Sequence, residues 1–353
     1  MAAFSERRNG LVDATKRTPR SVLAVILNYN GRQWLEKSLP SIMASDYPAV
    51  TVCVVDNASS DGSVAWIHAH YPDVLVLENA INRGSPGFNT GMEFGLRHGF
   101  DFILKLDNDV EAPTDCIQQM VNFMREHPDV GVLAPLIYYW EPRDTLWFCG
   151  GVVDRGRFKC NHPPTVAEFR AAPMRERFIT GCASLVRRQV FETIGGCDPC
   201  LFLYYDDTDF SIRAADAGFG LEVCEAAHLY HMVSASSGGE NKLNATKVYY
   251  EIRSSLLFWR KHAGWWRFHR DYCSRHLGKW VNNLPLQWND PKARPCAKAG
   301  IDALWYVISC RKTPCDHPAA PEWFARLMIR RPWLVAELMA LRLSTMTKMA
   351  AGL

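Results

Sequence analysis

No stretch of this sequence approaches the about 18 consecutive apolar residues that a membrane-crossing helix needs, so nothing in it reads as a span. A targeting signal is missing too. Residues 1–20 are polar and basic, and the apolar run Val22–Leu27 is too short for a secretory core. Cytoplasmic residence is the expectation, with peripheral attachment to the inner face of a membrane as its variant. Internal repeats and low-complexity tracts are absent, which excludes solenoids and long disordered linkers. The twelve cysteines are scattered, not set at disulfide or zinc spacing, and are expected to be reduced thiols. Cys197-Asp-Pro-Cys200 is the one tight pair, and a single such pair in a Gly/Pro-rich turn reads as two thiols. The first apolar run is followed by Asn28-Tyr-Asn30 and not by Gly-x-Gly-x-x-Gly, which argues against a dinucleotide-dependent oxidoreductase. The same place lacks the Gly-rich, basic loop of a sugar-1-phosphate nucleotidyltransferase.

What is present is 353 residues with 48% apolar and 22% charged content, an ordinary globular composition and length enough for about two domains. The net charge of +3 hides a division: from Asn241 onward 19 Lys+Arg face 7 Asp+Glu, leaving residues 1–240 with 21 basic and 30 acidic residues. The acidic part is where the chemistry is expected. Within it, short β-rich runs alternate with helical patterns: Val22–Leu27, Val50–Val55, Val74–Leu77, Phe102–Leu106 and Val130–Ala134 are separated by amphipathic stretches. This alternation predicts an α/β fold with a mostly parallel sheet flanked by helices. Polar clusters fall just after the strands, where such sheets collect function: Asn28-Tyr-Asn30, Asp56-Asn57, Asn79 to Asn82 and Asp107-Asn-Asp109. The expected organisation is a flexible leader over 1–20, a catalytic domain over 21–240 and a helical, basic, Trp-rich region over 241–353. Within the 21–240 domain a division near residue 135 is expected, giving 21–135 and 136–240. From Leu136 to Phe178 the pattern dissolves into Pro, Gly and aromatics, as for an irregular insert or hairpin.

Asp107-Asn-Asp109 presents two carboxylates directly after an apolar strand. Hard divalent cations are bound by such carboxylates together with substrate phosphates, and they neutralise charge on a departing diphosphate. A solvated turn or a helix cap accounts for most Asp-x-Asp occurrences. A second cluster, Asp206-Asp207-Thr-Asp209, holds three carboxylates within four positions, which repel unless a metal, Arg213 or a substrate offsets them. It reads either as a helix N-terminus or as the source of a base for an acceptor hydroxyl. His228 and His231 close a short apolar segment, and spacing alone does not separate them.

In order, the chain carries Asn28-Tyr-Asn-Gly31, Val55-Asp-Asn-Ala-Ser-Ser-Asp-Gly-Ser63, Asn82-Arg-Gly84, Asn89-Thr-Gly91 and Leu106-Asp-Asn-Asp-Val110. Thr180-Gly-Cys-Ala183, Gly195-Gly-Cys-Asp198, Tyr205-Asp-Asp-Thr-Asp-Phe-Ser-Ile-Arg213 and Tyr230-His231 follow. Over roughly residues 21–235 this series resembles the family 2 glycosyltransferases, in particular their rhamnosyltransferase-like branch. The resemblance implies a GT-A fold, with a nucleotide-sugar half over 21–135 and an acceptor half over 136–240, and a single inverting displacement on a nucleotide-diphosphate sugar. Hexose transfer, with rhamnose from a dTDP or UDP donor as the branch's example, to a glycan or lipid-linked glycan is the implied activity. It assigns Asn28, Asp56, Asn82, Gly84 and Asp107 to the donor, and Asp107, Asp109 and His231 to Mg²⁺ or Mn²⁺. Asp207 is the implied general base, with Asp206 (in place of the usual Glu) and Arg213 on the acceptor side. A non-catalytic sugar-binding module on the same fold is the rival, which loss of Asp107, Asp109 or Asp207 would favour.

The region after residue 241 carries eight of the twelve Trp. Interleaved with Arg and Lys, as in Trp265-Trp-Arg-Phe-His-Arg270, they suit a membrane interface or a packed core, and a homodimer contact is a further expectation. Nucleic acid is not expected, since no binding motif accompanies the charge.

Overall fold

A computed structural model describes residues 20–232, 244–309 and 319–330. The leader expected over 1–20 lies, Arg20 apart, outside the described residues, as do 331–353 of the C-terminal region.

The first part of the chain follows the expected alternation: β1 (Val22–Asn28), α1 (Arg32–Met43), β2 (Val50–Asp56), α2 (Ser63–His70), β3 (Leu75–Glu78), α3 (Asn89–Arg97) and β4 (Phe102–Asp107). Strand β1, Val-Leu-Ala-Val-Ile-Leu-Asn, is apolar on both faces because helices cover both, as in a parallel sheet. A short 3₁₀ turn, Ser85–Phe88, with Pro86 in its first positions, feeds α3. The strands lie in the order β3-β2-β1-β4, all parallel, with Asn28 opposite Asp56 and Leu27 opposite Asp107. Their carboxyl ends therefore share one edge, and the polar clusters that follow β1, β2 and β4 converge there.

Next come β5 (Val110–Glu111), α4 (Cys116–Glu126), β6 (Val130–Tyr139), β7 (Leu146–Phe148), β8 (Gly151–Asp154), β9 (Lys159–Asn161), α5 (Val166–Ala171) and β10 (Arg177–Phe178). They are followed by β11 (Ala183–Arg187), α6 (Arg188–Ile194), α7 (Asp206–Asp216) and β12 (Gly220–His231). Beyond β4 the sheet continues β11-β6-β12-β5. Strand β11 runs antiparallel to both β4 and β6, whereas β6 and β12 are parallel, so the all-parallel character belongs to the first four strands. The stretch after Leu136 is more ordered than its composition suggests. Strand β6 continues to Tyr139 and folds back onto β7, while β8, β9 and β10 form a separate antiparallel sheet. Pro135 hides the strand in the sequence, because a proline offers no ladder donor. It is tolerated here because it falls where β12 bulges between Cys224 and His228.

The C-terminal region is helical, as expected: α8 (Ala245–His262), α9 (Trp265–Arg267), a π-helical stretch Phe268–Leu277, α10 (Gly278–Asn289), α11 (Arg294–Ile308) and α12 (Glu322–Arg330). Helix α8 packs its Phe258 and Trp259 into the common core, with the Trp259 ring 5.2 Å from that of Phe158. A fully buried Phe contributes about 1.5–3 kcal/mol, so this contact favours docking over a detached tail. Trp259 is thus a core residue, while Trp266 and Trp323 are 74% and 59% exposed. Polar anchors reinforce the docking: Ser254 Oγ donates to Leu203 O, and Arg155 donates to His262 O. Among the described residues no helix is long and apolar enough to cross a membrane. Ten described cysteines are all free thiols, including buried Cys197 and exposed Cys200.

Candidate active site

The floor of the site is built by amides and a carboxylate at the ends of β1 and β2. Asn28 is fully buried; its Nδ2 donates to Asp56 Oδ1 (2.9 Å) and its Oδ1 accepts from Asn108 Nδ2 (2.8 Å). Asp56, 1% exposed, also accepts from Ser59 N (2.8 Å). Asn28 and Asp56 were expected to touch the donor. The structure sets both beneath the cleft surface, where they hold the turns after three strands in register. Asn57, equally buried, borders the cleft, donating to Gly84 O (2.9 Å) and accepting from Asn79 Nδ2 (2.9 Å).

Asn82 and Gly84 do line the cleft. Asn82 Oδ1 accepts from Gly84 N (2.8 Å), closing a tight turn in which Gly84 has φ +65°. A Cβ at Gly84 would sit 2.0 Å from Phe202 O, so the turn lies directly against the loop that precedes α7.

Asp107, Asp109 and His231 meet at one point although 120 residues separate the first two from the last. The sheet enforces this: β5, immediately after Asp109, pairs with the end of β12, placing His231 opposite Val110. His231 Nε2 lies 3.2 Å from Asp109 Oδ1, and the Trp147 ring packs edge-on against the imidazole at 4.7 Å. His228 points elsewhere, an odd number of residues away along the same strand, and packs against Tyr138 and Tyr230. That geometry separates the two histidines, which spacing alone did not. The main chain of Asp107 donates to Cys182 O (2.9 Å), so the Thr180–Cys182 loop closes the same corner. Burial first, and the Asp109 carboxylate second, push the Asp107 carboxyl up to about 7 against the pull of Lys105 and His231.

This donor set fits a divalent cation. Asp109 is 5% exposed, and its Oδ1 has no hydrogen bond among the described residues, an arrangement a metal would satisfy. Among the described residues, donor atoms of Asp107, Cys182 and His231 lie within 4.8 Å of one another, and Asp109 joins them through its 3.2 Å approach to His231. Two carboxylates and an imidazole suit Mn²⁺ or Mg²⁺; the Cys182 thiol is one the sequence reading did not single out.

Asp207 opens α7, in its first turn. Its Oδ2 accepts from Gly181 N (3.0 Å) and its Oδ1 from Thr208 N (2.6 Å). Through Gly181 the carboxylate is tied to the loop whose next residue, Cys182, borders the metal corner. Asp206, by contrast, turns inward: it is 5% exposed and its Oδ2 accepts from Lys105 Nζ at 3.2 Å. Burial disfavours the Lys105 charge, but Asp206, helped by Asp107 and Asp207, outweighs it and holds the amine above its ordinary range. Arg213 is not brought to the cleft. Its guanidinium is taken by Asp209 Oδ2 (2.8 Å) and by the carbonyls of Ile194 and Gly196, on the far side of α7. The side chains expected on the acceptor side thus have internal partners: Asp206 is buried with a lysine and Arg213 is held in an i,i+4 pair.

The cleft, about 600 Å³, also draws on residues the sequence gave no reason to choose: Tyr29 after β1, and Lys247 and Tyr250 from α8. The N-cap of that helix, Asn244, whose side chain accepts from Lys247 N, lies in the same wall. The helical region is thus part of the site.

Residues 23–195 match the sequence model described as Glycosyl transferase family 2. An N-acetylglucosaminyl-diphospho-decaprenol L-rhamnosyltransferase of Mycobacterium tuberculosis is 26% identical over 265 residues, spanning 69% of this chain and 85% of the relative. Among solved structures, the mannosyltransferase PcManGT from Pyrobaculum calidifontis, in complex with GDP-Man and Mn²⁺, superposes with a TM-score of 0.50 at 20% identity. That match covers 92% of this chain and 86% of the other. Staphylococcus aureus TarS in complex with UDP-GlcNAc matches with a TM-score of 0.50 at 15% identity, covering 93% and 92%. Fold and sequence agree: the chain is a glycosyltransferase of the GT-A fold and belongs to glycosyl transferase family 2.

Proposed function

We propose that this enzyme moves a hexose or 6-deoxyhexose, with rhamnose the leading candidate, from a nucleoside-diphosphate donor to a hydroxyl of a glycan or lipid-linked glycan, with inversion. The observation that carries the reading is the meeting of Asp109 and His231, 3.2 Å apart, beside Asp107 in a cleft also walled by Asn57, Asn82 and Gly84. The decaprenol-linked substrate in the name of the mycobacterial relative supports the acceptor class.

Asp107, Asp109 and His231 would hold the divalent cation, which when bound neutralises charge on the departing diphosphate. Tyr29 offers the nucleobase an aromatic face, and Asn57, with the Asn82–Gly84 turn, offers polar contacts to the ribose and phosphates. Asn28 and Asp56 keep those loops in place from below. Lys247, in the first turn of α8, brings a positive charge to the phosphate side of the cleft. Asp207, held by Gly181 N, takes the proton of the acceptor hydroxyl as that oxygen attacks the anomeric carbon from the face opposite the nucleotide. The buried Lys105–Asp206 pair fixes the start of α7 and hence the position of Asp207.

A panel of UDP-, dTDP- and GDP-sugars tests the reading by slow donor hydrolysis without acceptor. One donor is expected to be cleaved well above the others, cleavage is expected to stop in chelator, and Mn²⁺ or Mg²⁺ is expected to restore it. Full turnover in chelator would remove the metal from the account.

A further inference from the structure

A hard-metal centre needs only oxygen and imidazole donors, yet the corner contains sulfur. A carboxylate oxygen of Asp107, the Sγ of Cys182 and a ring nitrogen of His231 all lie within 4.8 Å of one another. Asp107 and His231 end strands β4 and β12, and Cys182 immediately precedes β11 of the same sheet. Ala183, next to Cys182, is in register with Leu106, next to Asp107, and His231 is in register with Val110. The Cys182 main chain is also bonded directly to Asp107. Donors held so close by ladder hydrogen bonds need only small side-chain adjustments to reach the about 2.0–2.3 Å ligand distances of a tetrahedral Zn²⁺ site. Oxygen-rich sets select Mg²⁺ and Mn²⁺, whereas a thiolate beside an imidazole favours Zn²⁺, Co²⁺ and other softer cations.

We propose that Cys182 converts the catalytic cation site into a second, thiophilic one. Through Asp107, Cys182 and His231 it captures Zn²⁺ or Co²⁺ in place of the working Mn²⁺ or Mg²⁺, and the enzyme is inhibited by these ions. On capture the thiol releases its proton to solvent as the sulfur–metal bond forms, the imidazole gives a lone pair, and no redox change occurs. Cys182 is 3% exposed, whereas Asp107 and His231 line the donor cleft, so the cation would enter by that cleft. This inference rests on the metal reading above.

Co²⁺ titrated into the full-length, metal-free protein tests it, because a thiolate ligand produces a near-ultraviolet charge-transfer band that oxygen and nitrogen ligands do not. The band is expected in the wild type, with saturable Co²⁺ binding, and is expected to vanish in Cys182→Ser and in His231→Ala. Zn²⁺ affinity measured against a metallochromic indicator is expected to fall by at least about 10- to 100-fold in Cys182→Ser, the range that even an outer partner of a metal ligand commands. Cys182→Ala, checked by circular dichroism, supplies a second folded variant. A band that persists in both Cys182 variants, or its absence from the wild type, overturns the proposal. Mn²⁺ binding followed by electron paramagnetic resonance keeps the two readings apart. If Mn²⁺ binds but Co²⁺ gives no thiolate band, the inference alone fails; if neither ion binds, the metal reading fails with it.

Discussion

Asp207→Asn is expected to lower kcat for sugar transfer by about 10²–10⁴-fold while donor affinity stays at the wild-type level. The amide preserves size and its one oxygen keeps the bond from Gly181 N, which holds the Thr180–Cys182 loop, while the bond from Thr208 N is given up. What is lost is the ability to receive the acceptor proton during attack. Steady-state rates with acceptor, paired with calorimetric titration of the donor, separate the two. A variant with unchanged kcat removes Asp207 as the base. Asp206→Asn provides the contrast: it disturbs a buried ion pair with Lys105 and is expected to act through stability and positioning, not through proton transfer.

The second large effect is structural and falls two residues further along α7. Asp209 is fully buried and meets three nitrogen partners: Arg213 Nε at 2.8 Å, Lys261 Nζ at 2.7 Å and His262 Nε2 at 2.7 Å. Burial alone would raise its carboxyl, but hydrogen bonds from His262 and Lys261 and the Arg213 charge hold it well below the ordinary carboxylate range. Two of these partners lie at the end of α8, so one carboxylate clamps the helical region onto the helix that carries Asp207. Asp209→Ala is expected to cost about 3 kcal/mol, the lower end for a broken buried pair because Lys261 is 39% exposed. Denaturant unfolding measures it. The sign of the pH dependence follows from the depressed folded-state value: the contribution is complete above the unfolded carboxyl's pKa of about 3.9 and drains away only as pH falls below it. The wild-type advantage over the variant is therefore flat near neutrality and shrinks in acid. An equal gap at all pH values, or none, contradicts the clamp.

The alternation of β1 to β4 with their helices was legible because both-face burial leaves nearly pure apolar runs and strand-end polar clusters. The corner formed by Asp107, Asp109 and His231 was legible only through the order of motifs, since no local spacing brings residues so far apart together. Three things escaped. Strand β6 was cut short by Pro135, whose missing donor is absorbed by a bulge in another strand. Arg213 was read both as a partner of the acidic cluster and as an acceptor ligand, and pattern alone does not say that Asp209, one turn earlier, takes its Nε. Lys247 and Tyr250 reach the cleft only because α8 is docked by side chains such as Asp209 and Phe258, a tertiary outcome invisible in the local sequence. Trp259 shows the same limit, since an aromatic flanked by Arg260 and Lys261 reads equally as interface or core until Phe158 is seen against it.

Donor titration with and without Mn²⁺, on the wild type and on Asp109→Ala, bears most directly on the claim that Asp107 and Asp109, met by His231 from a distant strand, form one cation-dependent donor site. The wild type is expected to bind its nucleotide-sugar much more tightly with Mn²⁺ than without, and the variant to bind it weakly and equally in both. If Asp109→Ala keeps the full Mn²⁺ enhancement, the donor site has been placed at the wrong corner of the sheet.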